Sequence, residues 1–194
     1  DKKTITIKIK DNVKWHDDTK FTSDDVKFTF ETIIKEKGMN VERLAVIKEI
    51  TCPDENTVVF NLSQKSAGLI SILPQVSILP KHLYEGTDWL NNPANQSPIG
   101  TGPFKFAEHK KGVSITLEAF DDYFLGRPKV DKIVYKTIPD ENTVVQSYLN
   151  DEVDVIDLAA AVSPAAMPTL ENAPNTKIET MISADRQYMV TNMQ

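Results

Sequence analysis

Ile99-Gly100-Thr101-Gly102-Pro103-Phe104-Lys105-Phe106 is the stretch on which the reading of the fold turns. Phe104 and Phe106 flank a lysine, the alternation of a strand with one apolar face. A dinucleotide loop needs G-x-G-x-x-G opening a helix after a strand. Here Lys105 stands at the third glycine and a strand follows, so the phosphate-binding reading is set aside. The two glycines are instead expected to let the backbone turn sharply where the chain enters a second domain.

Working outward, residues 91–98 are polar, hold Pro93 and Pro98 and have no hydrophobic period, so they read as a linker between domains at 1–95 and 96–194. Before it, Ile5, Ile7 and Ile9 alternate with Thr and Lys as a strand, and Val13 and Trp15 are expected to form the second arm of a hairpin. Thr22-Ser23-Asp24-Asp25 opens a helix, a hydroxyl cap followed by an acid that favours the positive helix end. Val26, Phe30, Ile33 and Ile34 mark its buried face, and Gly38 is expected to stop it. A short helix over 41–45 and a hairpin over 47–52 and 57–62 follow. Another helix spans 67–73, and a turn or two of helix begins near Pro80. Beyond the linker the pattern predicts strands at 113–117, 132–138 and 153–156 and helices at 143–149 and 163–170. Residues 178–182 and 188–190 read as strand material. Strand–helix–strand order makes the class α/β (mixed α+β), with mixed sheets flanked by helices. Pro-Asp-Glu-Asn-Thr-Val-Val occurs at 53–59 and again at 139–145. The first copy runs on into Phe60 and Leu62 as a strand, the second into Tyr148 and Leu149 as a helix, so context decides.

Composition narrows the function. A net charge of −6 argues against a nucleic-acid binder, and 40% hydrophobic with 26% charged residues is ordinary for a globular protein. No run approaches the ~18 apolar residues of a membrane span. Cys52 is the single cysteine, which excludes an intrachain disulfide, and it reads as a small core-facing strand residue. The chain opens almost at once on a strand with no signal peptide, so its start reads as a cut within a longer polypeptide.

Motifs for chemistry are sparse. His16, His82 and His109 stand apart, with no H-E-x-x-H, and no G-x-S-x-G elbow occurs. His16-Asp17-Asp18 offers nitrogen and oxygen ligands, but a solvated turn explains it better. Asp54-Glu55, Asp140-Glu141 and Asp151-Glu152 are adjacent acids beside turns, which do not converge on one substrate atom. No metal site and no cofactor are expected. A peptide or glycan hydrolase would need a nucleophile or a spaced carboxylate pair, and no motif supplies one.

An ordered set of motifs carries a resemblance. Thr4 to Asp17 followed by Phe21-Thr22-Ser23-Asp24-Asp25-Val26 is similar to a strand, a "W/F-x-D-G" turn and a T-x-x-D-V helix start. Asp18 stands where glycine is usual. Leu79-Pro80-Lys81-His82-Leu83-Tyr84-Glu85, Gly100-Thr101-Gly102-Pro103-Phe104 and Tyr123-Phe124-Leu125-Gly126-Arg127-Pro128 follow in order. Pro139 to Asp154 then resembles a "P-D…L-x-x-G-E-V-D" helix and strand, Asn150 replacing the glycine that ends the helix. Together these resemble the extracellular solute-binding proteins of family 5, receptors of ABC importers for oligopeptides, dipeptides and nickel.

The resemblance implies part of a type II (class C) periplasmic-binding-protein fold. Residues 1–95 would be much of the small extra domain that marks the class, and 96–194 part of the first ligand lobe. It implies a binding protein and no enzyme: a monomer that captures a peptide between two lobes and delivers it to a membrane permease. Its place would be the periplasm, or the outer face of the cell membrane on a lipid anchor. Nickel chelate, haem or another small solute is the alternative ligand, and a peptide-sensing receptor the alternative role. By position in the pattern, the cleft would be lined by the loop holding Leu158, Ala159 and Ala160 and by Asp185, Arg186 and Tyr188. Leu158 and Tyr188 would form side-chain pockets, the alanine backbone would pair with ligand, and Asp185 or Arg186 would meet a charge.

Overall fold

In the computed structural model, residues 3–38, 41–156 and 163–179 are described. They fall into two compact units that divide between Lys136 and Thr137. In the first unit, strand β1 (Thr4–Lys8) pairs antiparallel with β3 (Thr57–Leu62), which also pairs with β2 (Ile47–Asp54), giving the order β1-β3-β2. The alternating isoleucines lean onto a core made by helix α1 (Ser23–Lys35), short helices α2 (Val41–Leu44) and α3 (Gly68–Ile72), and the two longer strands. Val58 and Phe60 of β3 are fully buried, as the central strand of a covered sheet should be. The Phe60 ring meets Phe30 of α1 edge to face at 5.2 Å, a favoured aromatic geometry.

The second sheet has the order β4-β5-β6, from Phe104–Lys110, Ser114–Ala119 and Lys132–Lys136. Phe104 lies opposite Ala119 and Phe106 opposite Leu117, so the alternation of the opening motif does make a strand. The loop from β5 to β6 is closed by Arg127, which donates to Asp121 at 2.7 Å and to Asp131 at 2.5 Å. Between the sheets in sequence lies the one-turn helix α4 (Lys81–Tyr84). The second unit holds helix α5 (Glu141–Leu149) and helix α6 (Met167–Glu171).

Helices and strands thus mix as the α/β reading requires, and all sheet pairings among the described residues are antiparallel. Five local expectations need correction. Val13 and Trp15 do not pair with β1. They fold back on themselves through a Lys14–Lys20 bridge, while β1 takes its partner from β3, far along the chain. Residues 153–156 are not a strand: they have no ladder partner among the described residues, and Val155 is 83% exposed. Residues 91–98 are no loose connector. Asn92 is buried and donates to the Leu83 carbonyl and the Thr87 hydroxyl, while Asn95 ties Tyr84 to the Trp89 and Leu90 carbonyls. The chain does bend at 101–103, but neither Gly100 nor Gly102 has positive φ, so the bend does not draw on glycine's extra freedom. A Cβ on Gly100 would meet the His16 ring at 3.5 Å and the Gly102 nitrogen at 3.9 Å, both ordinary contacts.

The fifth correction concerns the helix ends. A glycine that ends a helix usually takes the left-handed conformation, the place in which the sequence puts Gly38 and, standing for glycine, Asn150. It falls instead on Lys37 (φ 53°) and Asp151 (φ 57°). In each case the next N–H reaches back one turn, Gly38 to the Ile33 carbonyl at 2.9 Å and Glu152 to the Ser147 carbonyl at 2.8 Å, as in a Schellman ending. Non-glycine residues pay a steric cost there, least for Asp and Asn. Lys37→Gly is therefore expected to stabilise its unit by about 0.5–1 kcal/mol and Asp151→Gly by a smaller amount. Thermal unfolding of the two variants checks this; a fall in melting temperature for Lys37→Gly would contradict it. Asp18, by contrast, has φ 69°, so it does adopt the turn that glycine would favour.

Candidate functional site

The T-x-x-D-V segment builds a buried polar hub. Thr22 caps α1, and Asp25 in its first turn accepts the Thr22 N–H at 2.9 Å, the reciprocal half of a capping box. The other Asp25 oxygen accepts the Lys81 N–H at 2.9 Å, and the Trp15 indole N–H approaches the first oxygen, shared with Thr22, at 3.4 Å. One turn on, the Thr29 hydroxyl donates to the Asp25 carbonyl and accepts the Leu79 N–H at 2.9 Å. Two side chains of one helix thus fix the Leu79–Lys81 segment and the Trp15 turn. Trp15 is 1% exposed, edge-on to Phe21 and His82.

Beside the hub, the His82 ring is 2.7 Å from Asp17. Burial pushes the Asp17 carboxyl up, but the hydrogen bonds from His82 and from the Thr19 N–H outweigh it and hold the group below the usual carboxylate range. This is a histidine–acid pair without a nucleophile: among the described residues, no hydroxyl or thiol hydrogen-bonds to the His82 ring.

His16, read at first as part of a solvated turn, joins the Trp15 turn to the opening motif. Its N–H donates to the Gly100 carbonyl at 3.0 Å, its Nδ1 accepts the Gly100 N–H at 3.1 Å, and its Nε2 lies 3.0 Å from the Gly102 carbonyl. Phe120 covers the ring at 5.1 Å, and Lys14 reaches Asp122 at 2.6 Å alongside. A hollow of about 380 Å³ opens here, lined by His16, Pro98, Ile99, Lys105, Phe106 and Glu118.

In the second unit, Asp140 caps α5 by accepting the Thr143 N–H at 2.8 Å. The Ser163 N–H donates to Glu141 at 2.8 Å, and hydrogen bonds from Ser163 hold the Glu141 carboxyl below its usual range. Tyr148 on α5 donates to or accepts from the Thr176 hydroxyl at 3.2 Å, at the edge of a hollow of about 250 Å³ that includes Val153, Asp154 and Asn175. The residues expected to line a cleft, Leu158, Ala159, Ala160, Asp185, Arg186 and Tyr188, all lie outside the described residues. The hub and the His16 junction were not foreseen as such, although the T-x-x-D-V motif pointed to the first.

These arrangements position backbone and exclude water, and among the described residues no cluster of three or more His, Cys, Asp or Glu side chains is placed to hold a metal ion. The chain belongs to the bacterial extracellular solute-binding proteins of family 5: residues 1–194 match the family described as "Bacterial extracellular solute-binding proteins, family 5 Middle". It is 35% identical over 190 residues to the oligopeptide-binding protein AppA of Bacillus subtilis, covering 94% of this chain and 34% of that protein. The structure of that protein in complex with a nonapeptide superposes with a TM-score of 0.82 at 33% identity, over 90% of this chain and 35% of the other. NikZ from Campylobacter jejuni in complex with Ni(L-His) superposes with a TM-score of 0.79 at 29% identity, over 90% and 35%. The chain therefore spans about a third of the length of these relatives. The expected fold class, part of a periplasmic-binding-protein fold, is the one these structures share. No helix among the described residues is long and apolar enough to cross a membrane.

Proposed function

We propose that this chain is part of an extracytoplasmic receptor that captures peptides and delivers them to the permease of an ABC importer. The single observation that supports it most is the likeness to a receptor solved with a nonapeptide, extending over nine-tenths of this chain. In this reading residues 1–95 are part of the small extra domain and 96–194 part of the first ligand lobe. The receptor works as a monomer, performs no chemistry on its ligand and needs no cofactor. It resides in the periplasm or on a lipid anchor at the outer face of the membrane.

Leu158, Ala159, Ala160, Asp185, Arg186 and Tyr188 are the proposed ligand contacts on this chain. Peptide backbone would pair with the alanine segment while side chains enter roomy, wet pockets, which suits a receptor that accepts many sequences. A second reading, nickel carried as a chelate, is favoured by the likeness to NikZ. Native mass spectrometry of the whole receptor as purified, followed by denaturation, separates the two. A ladder of short peptides of mixed sequence is expected. A single metal-chelate mass would replace the peptide reading while leaving the family intact.

A further inference from the structure

We propose that His16 is a proton-operated latch: its neutral ring tightens the junction between the Trp15 turn and the 99–103 loop, and protonation breaks the bond from the Gly100 N–H to the ring and loosens that junction. The geometry dictates the protonation state. Gly100 presents an N–H to Nδ1, so Nδ1 must be the acceptor, and Nε2 must carry the hydrogen that it donates to the Gly102 carbonyl. Both ring nitrogens are therefore satisfied only in one neutral tautomer. Adding a proton at Nδ1 sets N–H against N–H, breaks the Gly100 bond and leaves the Gly102 bond in place. Flipping the ring puts Cδ2 in the place of Nδ1 and Cε1 in the place of Nε2, so it ends the N–H against N–H contact only by giving up the Gly102 bond as well.

The surroundings favour the neutral ring. Phe120 packs on it from the end of β5. Lys105 on β4 faces the same hollow and repels a positive ring; Asp17 on its own turn and Glu118 on β5 are the acids nearby. Alongside, Asp122 is committed to Lys14. Burial is the largest influence and, with Lys105, outweighs the Gly102 carbonyl and Asp17, so the ring titrates below the ordinary histidine value. A lowered value means the latch is fully engaged above about pH 6.5 and is lost as pH falls through the folded-state value. The open hollow beside the ring gives a proton its route.

The test is the ring ¹⁵N and Gly100 amide signals of the protein between pH 8 and pH 5, in the His82→Gln background, which leaves His16 as the histidine ring beside the Trp15 turn. The expected result is an Nε2–H tautomer at neutral pH and a His16 midpoint below 6.5. Protection of the Gly100 amide is expected to fall about tenfold, beyond the intrinsic exchange effect, as the ring charges. His16→Asn keeps an acceptor for Gly100 with no titrating group, and its Gly100 protection is expected to be flat with pH. A midpoint at or above 6.5, an Nδ1–H tautomer, or the same pH dependence in His16→Asn would overturn the proposal. The ring signals are read without the Asn variant, so the test stands even if that variant does not fold.

Discussion

Phe60→Ala is expected to destabilise the first unit by about 3–5 kcal/mol, a large part of the ~5–15 kcal/mol that holds a typical domain together. Phe60 is fully buried on the central strand of its sheet, with neighbours on both strands and the Phe30 ring across the interface. Truncation removes the transfer energy of a whole ring and leaves a cavity that β3 cannot close, since both its edges are already paired. Phe60→Leu, which keeps most of the volume, should cost only about 1–1.5 kcal/mol. Urea unfolding of both variants decides the matter. Equal losses for the two would show that the ring pairing, and not the volume, carries the effect.

Asp25→Ala should cost about 3 kcal/mol, by a different route. Asp25 is 4% exposed, and its carboxylate is the partner of two backbone N–H groups from separate segments. Removing it leaves both partly buried donors without their carboxylate partner, at roughly 1–3 kcal/mol for each, and leaves Asp24 as the one acid in the first turn of α1. Asp25→Asn should recover less than half of the loss, because its amide nitrogen turns a donor toward a donor. Faster amide exchange at Lys81 and Thr22 in both variants, together with the drop in stability, is the expected signature. Unchanged exchange at Lys81 would mean that the hub does not hold the 79–81 segment.

Much of this was legible in the sequence where the period was strong. The β2–β3 hairpin, α1, α5 and the strand after Gly102 all follow from alternation or helical spacing. The repeated heptapeptide shows how far local signals reach. Asp54 accepts from Asn56 and Thr57 across a hairpin turn, whereas Asp140, in the same string, accepts from Thr143 and starts a helix. The side-chain chemistry is the same, and the flanking residues choose its use. Reading failed where the outcome depended on distant partners. Nothing near Trp15 says that β1 will be paired by residues 57–61, and nothing near Asn92 says that its amide will be buried against Leu83 and Thr87. The helix ends failed for another reason: glycine is the favoured left-handed residue, but backbone geometry placed that conformation one residue before Gly38 and one after Asn150. For the candidate site, the motifs carried the family, while the proposed ligand contacts rest on position in the pattern alone.

The division at Lys136 also sorts the chromophores. Both tryptophans and every phenylalanine precede residue 137, and the second unit has only Tyr148 and Tyr188 for aromatic rings. Its described core is accordingly aliphatic, with Val144, Val145 and Leu170 buried. Intrinsic tryptophan emission from this chain is thus a signal from the first unit alone, dominated in its sensitivity to packing by the enclosed indole of Trp15. The second unit carries no tryptophan, so its own intrinsic signal comes from tyrosine.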